Sequence, residues 1–228
     1  FGHSVASAGD VNGDGYADII ASAPTYDISS NEGAAFVWYG SVSGLAVSAD
    51  WMAQGDETNG SFGTSVACAG DVNGDGYDDI IIGAQAQNNT LSDEGEVFIW
   101  YGSASGLGSN GTTANADWSA AGGTASAYLG CSVAGAGDIN HDGYDDIIVG
   151  AYNGGTSGEG KAYVWYGSAT GPAATADWSA ESNQASAQFG YYVAGAGDVN
   201  GDGYADIIIG APYYDNGSSD EGSAFVWY

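Results

Sequence analysis

The phrase Asp-x-Asn-x-Asp-Gly-Tyr-x-Asp occurs four times in this chain, beginning at Asp10, Asp71, Asp138 and Asp198, so its 228 residues advance in steps of 61, 67 and 60. Self-similarity at a near-constant step marks a repeat architecture, in which each unit buries its apolar face against the next. The neighbours of the phrase repeat with it. Upstream stand Phe1-Gly2, Phe62-Gly63, Leu129-Gly130 and Phe189-Gly190. Downstream an Ile-rich run ends at Ala21–Pro24, Gly83–Gln85, Gly150–Tyr152 and Gly210–Pro212. An aromatic run follows (Phe36–Tyr39, Phe98–Tyr101, Tyr163–Tyr166, Phe225–Tyr228), and three copies close on Ala-Asp-Trp at Ala49–Trp51, Ala116–Trp118 and Ala176–Trp178.

Each repeat therefore offers short β-type segments separated by Gly, Ser, Asn and Asp clusters, with no stretch of helical period. The first segment, as in Ser132–Gly137, consists of Ala, Gly, Ser and Val, which suits a crowded place where backbones approach closely. The second, as in Asp206–Ala211, is apolar on successive residues and is expected to be covered on both faces. A small inner strand, doubly covered middle strands and an outer strand with one Trp describe a propeller blade. A sandwich would show alternation without so long a period, and ranks below it. The expectation is an all-β propeller forming one domain over 1–228, with repeats at about 1–61, 62–128, 129–188 and 189–228. The third segment of the last repeat ends at Tyr228, so that blade is expected to lack its outer strand, with its edge covered by further chain or a neighbouring protomer. Residue 1 is Phe and no secretory leader is visible, as expected of a processed or partial chain.

The order Phe-Gly, acidic loop, Gly-Ala-Pro resembles the FG-GAP repeat of integrin α-subunit propellers and their bacterial relatives. The resemblance covers nearly the whole chain; Leu129 replaces Phe in the third copy, and the Pro survives only at Pro24 and Pro212. It implies an extracellular propeller with divalent cations in its loops and a partner-binding face on the opposite side.

The loop residues carry their own chemistry. Positions 1, 3, 5 and 9 offer side-chain oxygens and position 7 a backbone carbonyl: Asp10, Asn12, Asp14, Tyr16 and Asp18; Asp71, Asn73, Asp75, Tyr77 and Asp79; Asp138, Asn140, Asp142, Tyr144 and Asp146; Asp198, Asn200, Asp202, Tyr204 and Asp206. All-oxygen donors on alternate residues of a tight loop suit Ca²⁺, which takes about 6 to 8 oxygens, better than Mg²⁺, which demands a stricter octahedron. Zinc would call for Cys or His. An EF-hand is excluded because its twelfth-position Glu is replaced by Ala21, Ile82, Val149 and Ile209, and the flanks read as strands. Plain Asp-Gly or Asn-Gly hairpins are the alternative; four identical donor sets favour about four structural Ca²⁺ ions.

Charge narrows the partners. Against 29 acidic residues stands one Lys and no Arg, a formal charge of −28. Nucleic acid and anionic lipid both need basic patches. No apolar run approaches the ~20 residues of a membrane helix. His3 and His141 sit in no nucleophile motif, and the loops already account for 12 of the 29 carboxylates, so no catalytic residue is assigned. Cys68 and Cys131 occupy offset positions in neighbouring first strands and read as buried free thiols. Sequons at Asn59, Asn88, Asn110 and Asn216 fall in loops and are candidate glycosylation sites. The recurring Trp38, Trp100, Trp165 and Trp227 read as blade-to-blade packing.

Variation between repeats concentrates in the strand 2–3 loops (Thr25–Asn31, Ala86–Asp93, Asn153–Gly158, Tyr213–Asp220) and the strand 4–1 loops (Gln54–Ser61, Glu181–Gln188). Both sets are expected on the face away from the acidic hairpins, where ligand contacts usually sit. Tyr26, Tyr152, Tyr213 and Tyr214 are the candidate anchors there. The reading is a calcium-stabilised extracellular adhesion or recognition module whose partner is an extracellular protein or glycan. Its rivals are a structural subunit of an extracellular filament, completed in trans by copies of itself, and a propeller appendage of a secreted enzyme.

Overall fold

Each repeat folds as its own antiparallel sheet, in a computed structural model that describes residues 1–26 and 30–228. The first sheet runs β1 (Val5–Gly9), β2 (Asp18–Ala23), β3 (Ala34–Trp38), β4 (Trp51–Gln54) in chain order. The second repeat supplies β5 (Phe62–Gly70), β6 (Asp79–Ala84), β7 (Glu96–Trp100), β8 (Gly111–Thr112) and β9 (Trp118–Ala121). Four of these make the second sheet, while β8 crosses to the first and lies parallel along the outside of β4. The third sheet is β10 (Leu129–Gly137), β11 (Asp146–Ala151), β12 (Lys161–Trp165), β13 (Trp178–Glu181). The fourth has three strands, β14 (Tyr192–Gly197), β15 (Asp206–Ala211) and β16 (Ser223–Trp227). No α-helix occurs among the described residues; a single 3-10 turn spans Thr113–Asn115. This is the expected four-bladed, propeller-like arrangement, left open between its first and last blades. The added strand β8 was not foreseen, because two residues inside a Gly/Thr-rich loop carry no periodic signal.

The core lies between the sheets as three apolar clusters, one at each junction of consecutive blades. The Phe-Gly and Gly-Ala elements are what let blades come this close. A Cβ on Gly33, which has φ +88°, would stand 2.2 Å from the Phe62 carbonyl oxygen of the next blade. One on Gly83 would stand 2.1 Å from the Gly130 carbonyl oxygen. Only glycine fits both places.

Tryptophans tie the same junctions. Trp51 meets Trp100 edge-on, Trp118 meets Trp165 and Trp178 meets Trp227, each pair with ring centroids 5.5 Å apart. The packing role expected of Trp100, Trp165 and Trp227 is thus observed; Trp38, on the leading blade, instead leans on Phe1 and Phe36. At the inner strands a serine of each blade accepts an N–H from the next: Val66 to Ser4 Oγ (3.2 Å), Val133 to Ser65 Oγ (3.1 Å) and Val193 to Ser132 Oγ (3.1 Å).

β6 and β11 are buried along their whole length, as two-sided cover requires. The outer blades depart from this: Ile19 on β2 is 38% exposed and Ile208 on β15 is 36% exposed, because one face of each carries no neighbouring sheet among the described residues. Cys68 and Cys131 are free, and burial pushes both thiols up to about 12.

Candidate functional site

The four acidic hairpins join the first and second strands of their blades and so share one end of the molecule. Each is held by its own carboxylates. The Asp10 carboxylate accepts N–H bonds from Asp14 (3.0 Å) and Gly15 (2.8 Å), Asn12 Oδ1 accepts the same Asp14 N–H (3.0 Å), and Asp14 Oδ1 accepts that of Tyr16 (2.9 Å). Asp71, Asp138 and Asp198 repeat the pattern with Asp75 and Gly76, Asp142 and Gly143, Asp202 and Gly203. These are Asx turns, in which a short acidic side chain stands in for a backbone acceptor.

The ninth-position aspartates sit deeper. Asp18 is fully buried, with one oxygen on the Val11 N–H (2.9 Å) and the other on the Gly40 N–H (2.7 Å). Asp79 holds Val72 and Gly102, and Asp146 holds Ile139 and Gly167, in the same way. Each thereby links its hairpin to the turn after the third strand. Asp206 holds Val199 (2.8 Å), while its Oδ1 is buried without a partner. Burial raises the carboxyls of Asp18, Asp146 and Asp79 despite their N–H donors, Asp146 to about 6 and Asp79 to about 8. Neighbouring loop carboxylates, Asp75 and Asp71 beside Asp79, add to the rise.

The donor chemistry of each loop fits a hard divalent cation: two exposed or half-buried aspartates, an asparagine, a carbonyl and a buried aspartate, all oxygen. A carboxylate oxygen engaged by one N–H, as at Asp10, Asp14 and Asp18, keeps a second lone pair for a metal, whereas Asp71 Oδ1 and Asp198 Oδ1 each take two N–H groups. Among the described residues no three His, Cys, Asp or Glu side chains converge into a ready-made cage. The hairpins hold these donors in sequence while the carboxylates face backbone amides.

Two sets of acids act here that the sequence reading did not single out. In the eighth position, Asp78 accepts the Asp10 N–H (2.7 Å) and Asp145 accepts the Asp71 N–H (2.9 Å), each across a blade junction. Repeats 1 and 4 carry Ala17 and Ala205 at that position, and this alternation was the available signal. At the opposite end, buried Glu94 accepts N–H bonds from Leu91 (2.8 Å), Asn89 (3.2 Å) and Thr90 (2.5 Å) through one oxygen and from Gly123 (3.0 Å) through the other. Burial pushes this carboxyl up, but the four donors outweigh it and hold it below its ordinary value. A Glu-Gly pair recurs before the third strand in every repeat (Glu32, Glu94, Glu159, Glu221), which marks the position in sequence.

The loops on the face away from the hairpins are less free than their variability implies. Glu57 of one strand 4–1 loop takes the backbone N–H (2.6 Å) and the side-chain amide of Asn88 in the next strand 2–3 loop. Gln184 takes the Asp215 N–H (2.6 Å) likewise. Asn88 is thus engaged, and Asn110, between β7 and β8, accepts the Met52 N–H through its Oδ1 (3.2 Å), whereas the sequons at Asn59 and Asn216 are exposed elsewhere on the loops. In loop Thr25–Asn31, residues 27–29 lie outside the described residues. The four candidate tyrosines separate. Tyr26 packs edge-on against Phe36 (5.5 Å) and Tyr214 against Phe225 (5.3 Å), both inside aromatic clusters of their own blades. Tyr152 and Tyr213 instead line a cavity to which all four repeats contribute. His141, in place of the glycine found in the other hairpins, is exposed at φ 60° with its ring 5.4 Å from Tyr204 of the next blade.

Comparison with known proteins agrees with this architecture. The chain is 34% identical to chicken (Gallus gallus) integrin alpha-V over 221 residues, which is 92% of this chain and 20% of that protein. It is 34% identical to chicken integrin alpha-6 over 171 residues, 73% of this chain and 15% of the relative. With integrin alpha pat-2 of Caenorhabditis briggsae it shares 31% identity over 224 residues, 90% of this chain and 17% of the relative. The chain thus spans about a fifth or less of the length of these relatives. The FG-GAP repeat family matches four segments, residues 1–38, 62–100, 132–165 and 189–227, one in each blade. Four matches in step with four sheets make this chain a member of the FG-GAP repeat family, with an integrin-α-like propeller fold.

Proposed function

We propose that this chain is a calcium-stabilised, extracellular adhesion or recognition propeller without catalytic activity, acting as one domain. The observation that carries this is the fourfold recurrence of one oxygen-donor hairpin at one end of an integrin-α-like fold. Asp10, Asn12, Asp14, the Tyr16 carbonyl and Asp18 would hold one ion, and the matching sets of repeats 2 to 4 the others. Bound calcium supplies positive charge where three carboxylates share a short loop; four ions would bring the formal charge from −28 to −20. The residues themselves do the rest. The ninth-position aspartates anchor each hairpin to the third strand, and Asp78 and Asp145 tie hairpins across blades.

An extracellular setting follows from the relatives and from loops of a kind suited to millimolar calcium. Among the described residues no helix is long and apolar enough to cross a membrane. The partner is an extracellular protein or glycan met by the face away from the hairpins, and Asn59 and Asn216 are the sequons best placed for glycosylation. Titration of chelator-treated protein with CaCl₂ tests the metal, with about four equivalents expected; no uptake refutes it. Beads coated with the chain should attach to cell or matrix surfaces in calcium and release on chelation; attachment indifferent to calcium refutes the link.

A second reading, a subunit of an extracellular assembly, is favoured by β4, which accepts the strand β8 of another repeat along its outer side. Strand addition by another copy would serve β16 in the same way. A monomer whose mass is independent of concentration refutes it.

A further inference from the structure

At the end away from the hairpins, the starts of the four inner strands and the adjoining loops enclose a cavity of about 770 Å³. Small-molecule sites span roughly 300–1,000 Å³. The lining contains no Asp, Glu, Lys or Arg, in a chain with 29 acidic residues. Its polar groups are the amides of Gln85 and Gln188, serine and threonine hydroxyls, and His3. Its aromatic groups are Tyr152, Tyr191, Tyr192 and Tyr213, all from repeats 3 and 4.

These tyrosines do not follow the repeat. Where the fourth repeat has Tyr192, the other three have Ser4, Ser65 and Ser132; where it has Tyr191, they have His3, Thr64 and Cys131. A ring needed for blade packing would recur in every blade, as the strand-3 tryptophans do. Three of the four rings also form one connected surface. Tyr152 and Tyr191 lie 5.5 Å apart, Tyr191 and Tyr192 4.9 Å, and Tyr128 stacks behind Tyr152 at 5.0 Å with planes within 2°. Tyr192 is 69% exposed and Tyr213 49%.

We propose that this cavity binds a neutral saccharide. The C–H face of a pyranose stacks on tyrosine rings, and its hydroxyls match the amide and hydroxyl groups of the wall. Amphipathic rings and amides with no ionic group are the means of recognising an uncharged, hydroxyl-rich ligand. A cationic ligand would find no carboxylate in the wall, and an anionic one would find no Lys or Arg and would approach a chain of charge −28. The assignment rests on the adhesion reading and gives it a ligand class.

The test is titration calorimetry of the calcium-loaded chain with uncharged trisaccharides (maltotriose, cellotriose, chitotriose), with tri-galacturonate and tri-lysine as charged probes. At least one neutral trisaccharide should bind, and the charged probes should not. Tyr213→Ala and Gln188→Ala, both on the rim, should each weaken binding about tenfold, with unchanged thermal unfolding. Tyr26→Ala, outside the cavity, should leave it unaltered. Absence of binding by every neutral trisaccharide, or full affinity in Tyr213→Ala, overturns the proposal. Binding of tri-lysine alone overturns it too, while leaving adhesion in place. Failure of coated beads to attach under any calcium condition would refute the adhesion reading without touching the trisaccharide result.

Discussion

Phe62 and Phe1 are the same residue of the same motif, and among the described residues only Phe62 has a blade in front of it. Phe62 is fully buried, with ring centroids 5.8 Å from Phe98 and 6.1 Å from Trp100, inside the cluster shared with the first blade. Phe1 faces Phe36 at 5.6 Å and Trp38 at 6.0 Å in the same pattern but is 78% exposed. Truncating a buried Phe to Ala costs about 3–5 kcal/mol through lost transfer energy and the cavity left behind. An exposed ring that keeps only an aromatic contact contributes about 0.5–1 kcal/mol. Phe62→Ala should therefore lower the melting temperature by about 6–20 °C, at roughly 2–4 °C per kcal/mol for a chain of this size. Phe1→Ala should lower it by less than about 4 °C on the same scale. Differential scanning calorimetry in calcium, with urea unfolding followed by tryptophan fluorescence, measures both. Equal losses for the two variants would refute the claim that blade-on-blade burial, rather than the Phe-Gly motif within a blade, is what the residue supplies.

Chelation should destabilise the chain strongly: four sites at calcium a hundredfold above Kd contribute about 2.7 kcal/mol each, so EDTA should cut the melting temperature by some tens of degrees. An unchanged melting temperature would remove calcium from the account. Glu94→Gln should cost about 1.5–3 kcal/mol by replacing an acceptor of four N–H groups with an amide. Because the folded-state carboxyl is held below its ordinary 4.5, its contribution is complete above that pH and disappears as pH falls through the lower folded value. The gap between wild type and variant should accordingly close in acid, and a pH-independent gap would contradict this. Asp145→Ala should cost about 1–2 kcal/mol by removing the acceptor of the Asp71 N–H. Ala205→Asp should gain up to about 1 kcal/mol by supplying the missing counterpart at the third junction; urea midpoints that move the other way would show the cross-blade bond to be incidental.

The blades were legible in sequence because one nine-residue phrase and its flanks recur in step, and because Ile-rich strands such as Ile80–Ile82 carry their two-sided burial in their composition. The positions of the hairpin aspartates at one end of the fold were legible for the same reason. Less accessible was anything decided by contacts between repeats. Asp78 and Asp145 look like two more loop acids until the fold sets each against the hairpin of the preceding blade. Tyr26 and Tyr152 both stand in or beside strand 2–3 loops, yet one packs on its own Phe36 and the other lines the shared cavity. The clasp between Glu57 and Asn88 joins residues 31 apart in separate loops, and no local pattern announces it.

The hairpins and the blade junctions are one structure rather than two. The first acid of a hairpin uses its carboxylate to shape its own turn and gives its backbone N–H to the next blade, as Asp10 does to Asp78. The fourth residue lies against the next blade's tyrosine: a Cβ on Gly13 would stand 2.6 Å from the Tyr77 ring, and one on Gly74 2.4 Å from that of Tyr144. The ninth, buried, reaches the turn after the third strand of its own blade. A cation held among positions 1, 3, 5, 7 and 9 would thus brace one blade from inside and its contact with the following blade from the same point. Backbone hydrogen bonds between adjacent hairpins, from the Asp78, Asp145 and Ala205 N–H groups to the carbonyls of Asp10, Asp71 and Asp138, continue that brace along the series at 3.1–3.3 Å. Glycine-rich inner strands supply close approach but little side-chain packing, so stiffness at this end has to come from the hairpins. That is the physical reason for the acidic phrase to recur in every blade.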